Sequence, residues 1–525
     1  FRGTERECGE SATKMKPFVV SSVCLVAFLV LVVATGDSSF AANPGAKATL
    51  SKDGINHIIA QTLPLIIQEV QSVSIPDVNG SAGTPVGSID YSLSAIHITG
   101  FSIASITLDL QPPNRVVVTA NGLSISLHLN WHYKEHSFPH ISDSGSADAS
   151  TKGSSFQVST VLSNSNGKPA VGGTTCSVNL NDFDIDLHGG ASWLYQLFVN
   201  IFSSNIKHSV QDNVSQAVVQ AVNQQAEKAL ASLNLIVQID KTASVDFSMV
   251  GDPTITGTYI TIPDKGEFYL NSGHTESPYV PGPLPDTIDS SMLQFLIDEY
   301  VLDSAGYVYQ QGNVLQTVIT QKDIPSTIPI KLNTASFKVS IPQLYNAFPD
   351  QDMELGVAST AAPTAVVTSA NGVNITWHGD VDVRVLFANG TSTSAFVIGA
   401  DAATDAQAWI TGTVLNFKLG FVHADLRLES THIGNLNVSS YTPLVNDLLS
   451  EIVVPLINQI VAGKGLPIPT VDGLTFVNPE VKFSDGFLFV ATNINYNPSG
   501  ETAVKPKTPM HEPHIPILIS HHQEE

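Results

Sequence analysis

Three aspartates at alternate positions have the spacing with which one type of calcium-binding loop begins. They are Asp182, Asp184 and Asp186. That loop needs Gly at its sixth position and Glu at its twelfth, where this chain has Leu187 and Trp193. Apolar residues alternate with the three acids, which is typical of a β-strand with one wet face. The sequence therefore predicts a polar strand face here and no calcium site.

Three histidines at intervals of four residues form a second candidate for metal binding. On a helix, His132, His136 and His140 would bring their imidazoles together on one face, as a metal requires. Pro139 and the apolar/polar alternation that approaches through Leu129 instead favour a strand. We therefore expect no metal at these histidines.

The cysteines and the known catalytic motifs offer little chemistry. Cys8 and Cys24 lie near the N-terminus, and the rest of the chain holds only Cys176, in a strand-like Thr-Cys-Ser-Val run typical of an inert, half-buried thiol. The chain has no Gly-x-Ser-x-Gly elbow, phosphate loop, dinucleotide fingerprint or His-Glu-x-x-His motif. The sequence gives no residues for an enzyme mechanism or a cofactor, and we expect neither.

Composition excludes one class of partner and sets the scale of the fold. The chain has 525 residues, long enough for two domains, and 43% of them are hydrophobic. Its 47 acidic residues outnumber its 24 basic ones, giving a formal net charge of -23. This charge is opposite to that of nucleic-acid-binding proteins, so we expect no nucleic-acid partner.

The N-terminal region has the features of an export signal. Residues 1–14 are interpreted as a leader that is not part of the native protein, and residues 15–41 as a signal peptide. Lys16 gives this peptide a positive start, residues 18–33 form its apolar core, and small residues follow around Ser39 and Ala41. We therefore expect a secreted, extracellular protein.

Glycosylation sequons agree with secretion. Each has the form Asn-x-Ser/Thr with no intervening Pro, and they begin at Asn79, Asn213, Asn374, Asn389 and Asn437.

Hydrophobic periodicity predicts the same order of elements twice. A helix over Ala48–Gln71 is followed by strands that alternate over Ser88–Tyr133, with breaks that include Asn121-Gly122, and a long helix over Ala191–Leu233 comes next. Prolines in 272–290 indicate a linker. The second half repeats the order, with a helix over Ser291–Leu302, strands to about Leu436 and a helix over Tyr441–Val461. Residues 497–525 read as a disordered tail.

Four short motifs carry a resemblance to a known family. They are Gly189-Gly190-Ala191-Ser192-Trp193-Leu194-Tyr195-Gln196-Leu197-Phe198, Lys265-Gly266-Glu267-Phe268-Tyr269, Ala305-Gly306-Tyr307-Val308-Tyr309-Gln310 and Phe487-Leu488-Phe489. In these motifs the chain resembles the bactericidal/permeability-increasing and lipopolysaccharide-binding proteins, and the plant members most. The resemblance spans residues 46–496.

The resemblance implies an α+β fold of two similar elongated barrels, each a twisted antiparallel sheet wrapped on long helices. A central sheet joins them in a boomerang shape. The N-terminal lipid-binding barrel, with part of the central sheet, would occupy residues 42–271, and the C-terminal barrel 291–496.

Each barrel of the family holds a phospholipid in an apolar pocket. The inward helix faces give the candidate lining, namely Ile58, Ile59, Ile66, Trp193, Leu197 and Ile201, then Leu449, Val453 and Leu456. The same residues would equally suit a filled core.

Two departures from the family pattern concern stability and headgroup recognition. Cys176 matches one half of the family's disulfide, but the expected partner position is Ser215, so we expect no disulfide. Family members that bind lipopolysaccharide have a basic cluster at the tip of the first barrel, and here the basic residues are scattered. The remaining headgroup candidates are Lys47, Lys52, Arg115 and Lys134.

The resemblance implies a monomeric, non-enzymatic lipid-binding protein. Phospholipid or lipopolysaccharide acyl chains would occupy the barrels, with transient contact to bacterial or other membranes and a role in defence against Gram-negative bacteria. The alternatives are general extracellular lipid transfer without endotoxin specificity, and a structural surface glycoprotein with filled barrels.

Overall fold

The structure is a computed structural model. It describes residues 43–71, 75–84, 87–136, 140–181, 184–189, 235–324, 331–461, 465–471 and 473–497, with some positions between 207 and 223. The predicted signal peptide and C-terminal tail lie outside the described residues. Over the described residues the chain forms two antiparallel barrel sheets joined by a central sheet, which confirms the predicted α+β fold.

The central sheet combines strands from both halves of the chain. In spatial order it contains β11 (Thr254–Ile255), β12 (Tyr259–Asp264), β1 (Ala46–Ser51), β14 (Leu293–Asp298), β23 (Phe487–Tyr496) and β22 (Leu474–Ser484). β1 pairs with β12 on one side and with β14 on the other. Strand β1 therefore joins strands from the two halves of the chain by hydrogen bonds within the central sheet. The predicted linker crosses this sheet and buries Leu284 against Leu296 and Phe489.

The first barrel sheet has seven strands. They are β2 (Val78–Thr84), β3 (Gly87–Ser102), β4 (Ser105–Gln111), β5 (Arg115–Glu135), β6 (Ser142–Ser165), β7 (Lys168–Asn179) and β8 (Asp184–His188). The predicted alternation over Ser88–Tyr133 is confirmed, but Asn121-Gly122 does not end a strand. The register shifts there and Gly122 adopts φ +66°, so the pair forms a bulge that bends β5.

Helix α1 (Lys52–Gln71) lies between the first barrel and the central sheet. Ser51 begins it, since its Oγ accepts a hydrogen bond from the Gly54 amide at 3.1 Å. The prediction of a helix from Ala48 was wrong for the residues before Lys52, which belong to β1.

The second barrel sheet also has seven strands. They are β15 (Gln316–Ile319), β16 (Asp352–Ser359), β17 (Thr364–Thr368), β18 (Gly372–Leu386), β19 (Ser392–Thr411), β20 (Val414–Thr431) and β21 (Leu466–Pro467). A small sheet lies beside it, formed by β9 (Ile236–Gln238), β10 (Ala243–Asp246) and β13 (Glu267–Leu270).

The predicted helix over Ser291–Leu302 was wrong in its first part. Residues Leu293–Asp298 form strand β14, and helix α2 covers Glu299–Gln311. β14 is covered on both faces, so its apolar residues run almost continuously and imitate helical spacing. Asp298 caps α2 by accepting a hydrogen bond from the Tyr300 amide at 2.9 Å.

The remaining helical segments belong to the second half. They are helices α3 (Pro342–Ala347), α4 (Thr442–Leu448) and α5 (Val454–Val461), a π-helical turn (Leu449–Val453), and 3-10 turns at Gln321–Asp323, Thr334–Phe337 and Val438–Tyr441. The predicted helix over Tyr441–Val461 is confirmed and contains this π turn. Of the predicted helix over Ala191–Leu233, the described positions between 207 and 223 are helical.

Carboxylates of α2 hold strand β17 against the helix. Asp303 Oδ1 accepts a hydrogen bond from the Ala365 amide at 2.6 Å, and Glu299 Oε2 accepts one from the Val367 amide at 3.0 Å. Burial, together with the neighbouring Glu299 and Asp298 charges, raises the pKa of Asp303 to about 6.

The raised pKa of Asp303 predicts a pH-dependent loss of stability. The folded protein binds this proton more tightly than the unfolded chain, so stability falls as the pH rises from about 4 through 6. Asp303→Asn keeps the acceptor oxygen and should remove about 1–2 kcal/mol of this loss, a value discounted for solvent screening.

Urea unfolding near pH 4.5 and pH 7.5 measures the effect. Asp485→Asn is the control, because hydrogen bonds from Ser369 lower the pKa of Asp485 and give its contribution the opposite sign. An unfolding midpoint with the same pH dependence in wild type and Asp303→Asn would contradict the prediction.

The sites of the family disulfide are adjacent here. Ser215 Oγ donates a hydrogen bond to the Cys176 carbonyl at 2.6 Å, and Cys176 is a free thiol whose pKa is raised by burial. A bridge at this point would close a loop of 39 residues.

Ser215→Cys should therefore form a disulfide with Cys176 in oxidising conditions. We expect it to stabilise the first barrel by about 2–4 kcal/mol, because the bridge restricts the unfolded chain. Thermal unfolding with and without reductant measures the gain. The pair Cys176→Ser/Ser215→Cys is the control, and an equal melting temperature with and without reductant in Ser215→Cys itself would refute the bridge.

Candidate functional site

A cavity of about 310 Å³ lies inside the second barrel. Its volume is at the lower end of the range of about 300–1,000 Å³ that is usual for ligand pockets. Helix α2, the concave face of the sheet and the π turn with α5 enclose it. It contains no Asp, Glu, Lys, Arg, His or Cys among its described lining residues. It can therefore accommodate an apolar group, but it cannot pair with a charge or supply general acid–base chemistry.

One wall comes from the motif Ala305–Gln310 in α2. Ala305, Gly306 and Tyr309 all line the cavity. A Cβ on Gly306 would lie 2.2 Å from the carbonyl oxygen of Pro363, so glycine is needed for the helix to approach so closely. The Tyr309 hydroxyl donates to Asp240 Oδ2 at 3.1 Å, which fixes the ring in the wall, and burial raises its pKa.

The opposite wall comes from the inward residues of β18, β19 and β20. Trp377 and Phe417 provide large aromatic surface, whereas Ala402 and Ala403 are small. Because small side chains lie beside large ones, volume on the concave face of the sheet is left unfilled. The lining also includes Gln316, Thr317, Thr364 and Thr404, which lie on β15, β17 and β19.

The third wall includes two residues that the sequence predicted. Leu449 and Val453 lie in the π turn and line the cavity with Val454 and Ile457. The backbone of Leu456 belongs to α5, but its side chain lies outside the described residues.

The first-barrel candidates pack differently. Ile58 is buried against Leu293, Ile494 and Tyr496 of the central sheet region. Ile59 packs with Ile55 and strands of the first sheet. Both residues contribute to continuous core. The side chains of Ile66, Trp193, Leu197 and Ile201 lie outside the described residues.

The four basic candidates do not come together. Lys47 is engaged by the predicted linker, since its Nζ lies 2.7 Å from both Asp286 Oδ1 and the Leu284 carbonyl. Lys52 starts α1 beside the central sheet. Arg115 begins β5 and donates to Ser159, whereas Lys134 lies 19 residues later on the same strand, roughly 60 Å along an extended chain. No shared headgroup site arises from these four residues.

The metal candidates separate on the strands. Asp184 and Asp186 are exposed on β8 with Ile185 buried between them, as the predicted strand alternation requires. Asp182 lies outside the described residues. His132 is exposed on β5, whereas His136, also exposed, and His140 follow the end of that strand.

A further group of possible ligands was not apparent from spacing. Ligand atoms of Glu267, His274 and Glu276 lie within 4.8 Å of one another. Lys265 already occupies the group and offsets one of its two negative charges, because its Nζ lies 2.7 Å from Glu267 and 2.8 Å from Glu276. The motif Lys265–Tyr269 thus forms an ion pair beside α2.

The sequons lie mostly at accessible positions. Asn79, Asn389 and Asn437 are exposed, Asn374 is half-buried, and Asn213 lies outside the described residues. Asn389 Oδ1 accepts hydrogen bonds from both the amide and the hydroxyl of Thr391. Of the helices in the described part of the chain, none reaches the length and apolar character of a membrane span.

Most of the cavity lining was not predicted from the sequence. Trp377, Phe417 and the α2 residues have ordinary core patterns, and Ala305–Gln310 stood out only as a family motif. The one local signal was the run of alanines on β19, at Ala400, Ala402 and Ala406, which indicates limited side-chain volume on the inward face.

Comparison with known proteins agrees with this architecture. The LBP / BPI / CETP family N-terminal domain matches residues 57–229, and its C-terminal domain matches residues 237–496. A bactericidal permeability-increasing protein of Sebastes schlegelii is 29% identical over 90% of this chain and 99% of its own length. A putative BPI/LBP family protein of Arabidopsis thaliana is 28% identical over 85% of this chain and 90% of its own.

The fold comparison gives the same answer. The crystal structure of lipopolysaccharide binding protein matches with a TM-score of 0.57 and 22% identity, covering 86% of this chain and 99% of that one. At this identity the match concerns the fold. The two matched domains together span most of the chain, and the protein belongs to the LBP / BPI / CETP family.

Proposed function

We propose that the protein is a secreted, monomeric lipid-binding protein that holds acyl chains of phospholipid or lipopolysaccharide in its barrels and has no enzymatic activity. The cavity of the second barrel is the observation that carries this proposal. Its lining combines aliphatic and aromatic residues with a few threonines and one glutamine, which suits an alkyl chain.

The energetics of acyl burial are sufficient for such a ligand. Each buried methylene contributes about 0.8 kcal/mol, so ten methylenes contribute about 8 kcal/mol before the cost of ordering the chain. Because the described lining residues carry no charge, the burial of methylenes is the main source of affinity in the cavity. A structural glycoprotein with filled barrels would not contain such a cavity.

The headgroup contributes less in this proposal. Lipopolysaccharide comes into consideration because relatives bear the names lipopolysaccharide-binding protein and bactericidal permeability-increasing protein. Phosphorylated sugars require convergent cations, and Lys47, Lys52, Arg115 and Lys134 are dispersed or already paired. We therefore assign the affinity for lipid at neutral pH to burial of the acyl chains. The protein would act in defence or in general lipid transfer.

Secretion is supported by the N-terminal signal pattern and by the exposed sequons Asn79, Asn389 and Asn437. Protein recovered from a eukaryotic secretion host, extracted with organic solvent and analysed by mass spectrometry, should release lipid with long acyl chains. Protein that carries no lipid, and also takes up no fluorescent phospholipid, would refute the proposal.

Filling the cavity should remove bound lipid. Thr317 and Val318 are neighbours on β15, and Thr317 lines the cavity whereas Val318 is 46% exposed. Thr317→Trp should lower the lipid recovered per protein by about twofold or more, because the indole occupies apolar volume that the ligand of the second barrel needs. Val318→Trp is the matched control and should retain wild-type lipid. Equal lipid contents in the two variants would show that this cavity is not the binding site.

Neutralising dispersed cations should leave lipid uptake almost unchanged. At neutral pH we expect Lys52→Gln/Arg115→Gln to bind fluorescent phosphatidylcholine and phosphatidylglycerol within about twofold of wild type, because apolar transfer is insensitive to charge and salt. Titrations at low and high salt measure this. A tenfold loss confined to the anionic lipid would instead identify a headgroup site at these residues.

A further inference from the structure

Histidines collect on the outer face of the first barrel sheet. We use the name histidine face for the outward surface of β3, β5, β6 and β8 that carries His97, His128, His132, His136 and His188. The inward residues of the same strands, such as Leu127, Leu129 and Trp131, are buried. The histidine spacing that suggested a helical metal site thus belongs to one side of a sheet.

Carboxylates contact three of these histidines, and Asp148 links two of them. His128 Nδ1 and His188 Nε2 contact the two oxygens of Asp148 at 2.7 and 2.9 Å, and His136 Nε2 contacts Asp90 at 2.7 Å. The rings of His97 and His128 lie 5.3 Å apart. All of these groups remain accessible to solvent.

The face is broad and shallow. From His128 to His136 it extends roughly 26 Å along β5, and from β3 to β8 it crosses about 14 Å of sheet. A surface of this size can meet several phosphate groups at once. Its dimensions suit an extended charged surface better than a single anion.

The sign of the charge on this face depends on the histidines. Five carboxylates and two lysines lie on it with the five histidines, namely Asp77, Asp90, Asp148, Asp184, Asp186, Lys134 and Lys152. With neutral imidazoles the sum is two minus five, or -3, and with protonated imidazoles it is seven minus five, or +2. Glu135 and Asp143 belong to the alternate set of positions, beside Tyr133 on the other side of the sheet.

Two of the carboxylates, Asp148 and Asp90, are held in their charged form by hydrogen bonds. Hydrogen bonds from His128 and His188 lower the pKa of Asp148, and those from Ser81 and His136 lower the pKa of Asp90. Imidazoles are the side chains that ordinarily change charge between about pH 5 and 8. Protonation of the imidazoles therefore adds positive charge to the face while Asp148 and Asp90 remain ionised.

The outer face of the second barrel does not have this property. It carries eight carboxylates, two arginines, one lysine and two histidines, namely Asp352, Glu354, Asp380, Asp382, Asp401, Asp405, Asp425, Glu429, Arg384, Arg427, Lys418, His378 and His423. Its sum changes only from -5 to -3 when both histidines are protonated. The sign change is specific to the first barrel.

We propose that the histidine face is a pH-dependent docking surface for the phosphate headgroups of anionic membranes, which engages them in mildly acidic solution and releases them at neutral pH. This proposal rests on the proposed function in one respect, because a membrane is the source or destination of a lipid carried in the second barrel. The partner is a bilayer surface because the histidines are spread over a face and do not converge on one point.

Vesicle co-sedimentation of the full chain tests the proposal. The vesicles are phosphatidylcholine with or without phosphatidylglycerol, at about pH 5.5 and pH 7.5. We expect wild type to bind the anionic vesicles about tenfold or more tightly at the lower pH, and added salt to weaken this binding. Equal binding at the two pH values, or equal binding to vesicles without phosphatidylglycerol, would overturn the proposal.

Variants assign the effect to the face. Replacing His97, His128, His132, His136 and His188 with Gln should abolish the pH-dependent binding, while replacing them with Lys should give binding at both pH values. His378→Gln/His423→Gln is the control in the second barrel and should behave as wild type. Thermal unfolding at both pH values identifies variants that fail to fold. If the Gln variant fails to fold, the Lys variant decides the outcome. A folded Lys variant that does not bind anionic vesicles at pH 7.5 would contradict the electrostatic cause.

The two proposals fail separately. Wild type that releases acyl lipid on extraction but ignores anionic vesicles at low pH would refute only the docking surface. Wild type that docks at low pH but carries no lipid and takes none up would refute only the proposed function.

Discussion

The free edge of the last long strand in each barrel must find hydrogen-bond partners, and the rest of the architecture depends on how it does so. An exposed edge would be open to pairing with other chains. In the second barrel, Asn446 accepts a hydrogen bond from the Ala424 amide, Ser450 accepts one from Val422, and Asn458 exchanges two with Leu419. In the first barrel, Gln211 and Ser215 donate to carbonyls of β7, and Thr174 donates to Asn223. A helix thus closes each sheet, and in the second barrel this docking places Leu449 and Val453 over the concave face, where they line the cavity.

These contacts reveal an internal repeat that apolar periodicity alone does not detect. Gln211, Ser215, Val219 and Asn223 recur as Asn446, Ser450, Val454 and Asn458, with successive members four positions apart in both sets. Such spacing aligns small polar groups along one helix face. Ser215 therefore has a role that its mismatch with the family's cysteine does not suggest. Together, the polar and apolar positions align these helices of the two halves residue by residue, which the apolar positions alone do not.

The sequence predicted the helices and strands that have one face exposed to solvent and the other face buried. Alternation identified β3 to β5, and helical spacing identified α1 and the helix that ends at Val461. It failed at β14, where burial on both faces removes the alternation. The cavity was harder to predict because it depends on volume that is left unfilled, and no single residue encodes that. Leu449 and Ile58 have the same pattern on their helices, yet Leu449 lines the cavity and Ile58 fills core.

Strand β5 illustrates how one segment can serve two kinds of surface without conflict. Its residues alternate, so that Leu127, Leu129 and Trp131 face inward while His128, His132 and Lys134 face outward. Apolar shelter and charge are thereby kept on opposite sides of the same backbone, and selection can alter either side without disturbing the other. The second barrel keeps the same separation, with Trp377 in the cavity and its neighbour His378 paired to Asp401 outside. Because no charged residue is among the described lining of the cavity, pH and salt act on this part of the protein through groups outside the cavity, such as the carboxylates of α2 that hold β17.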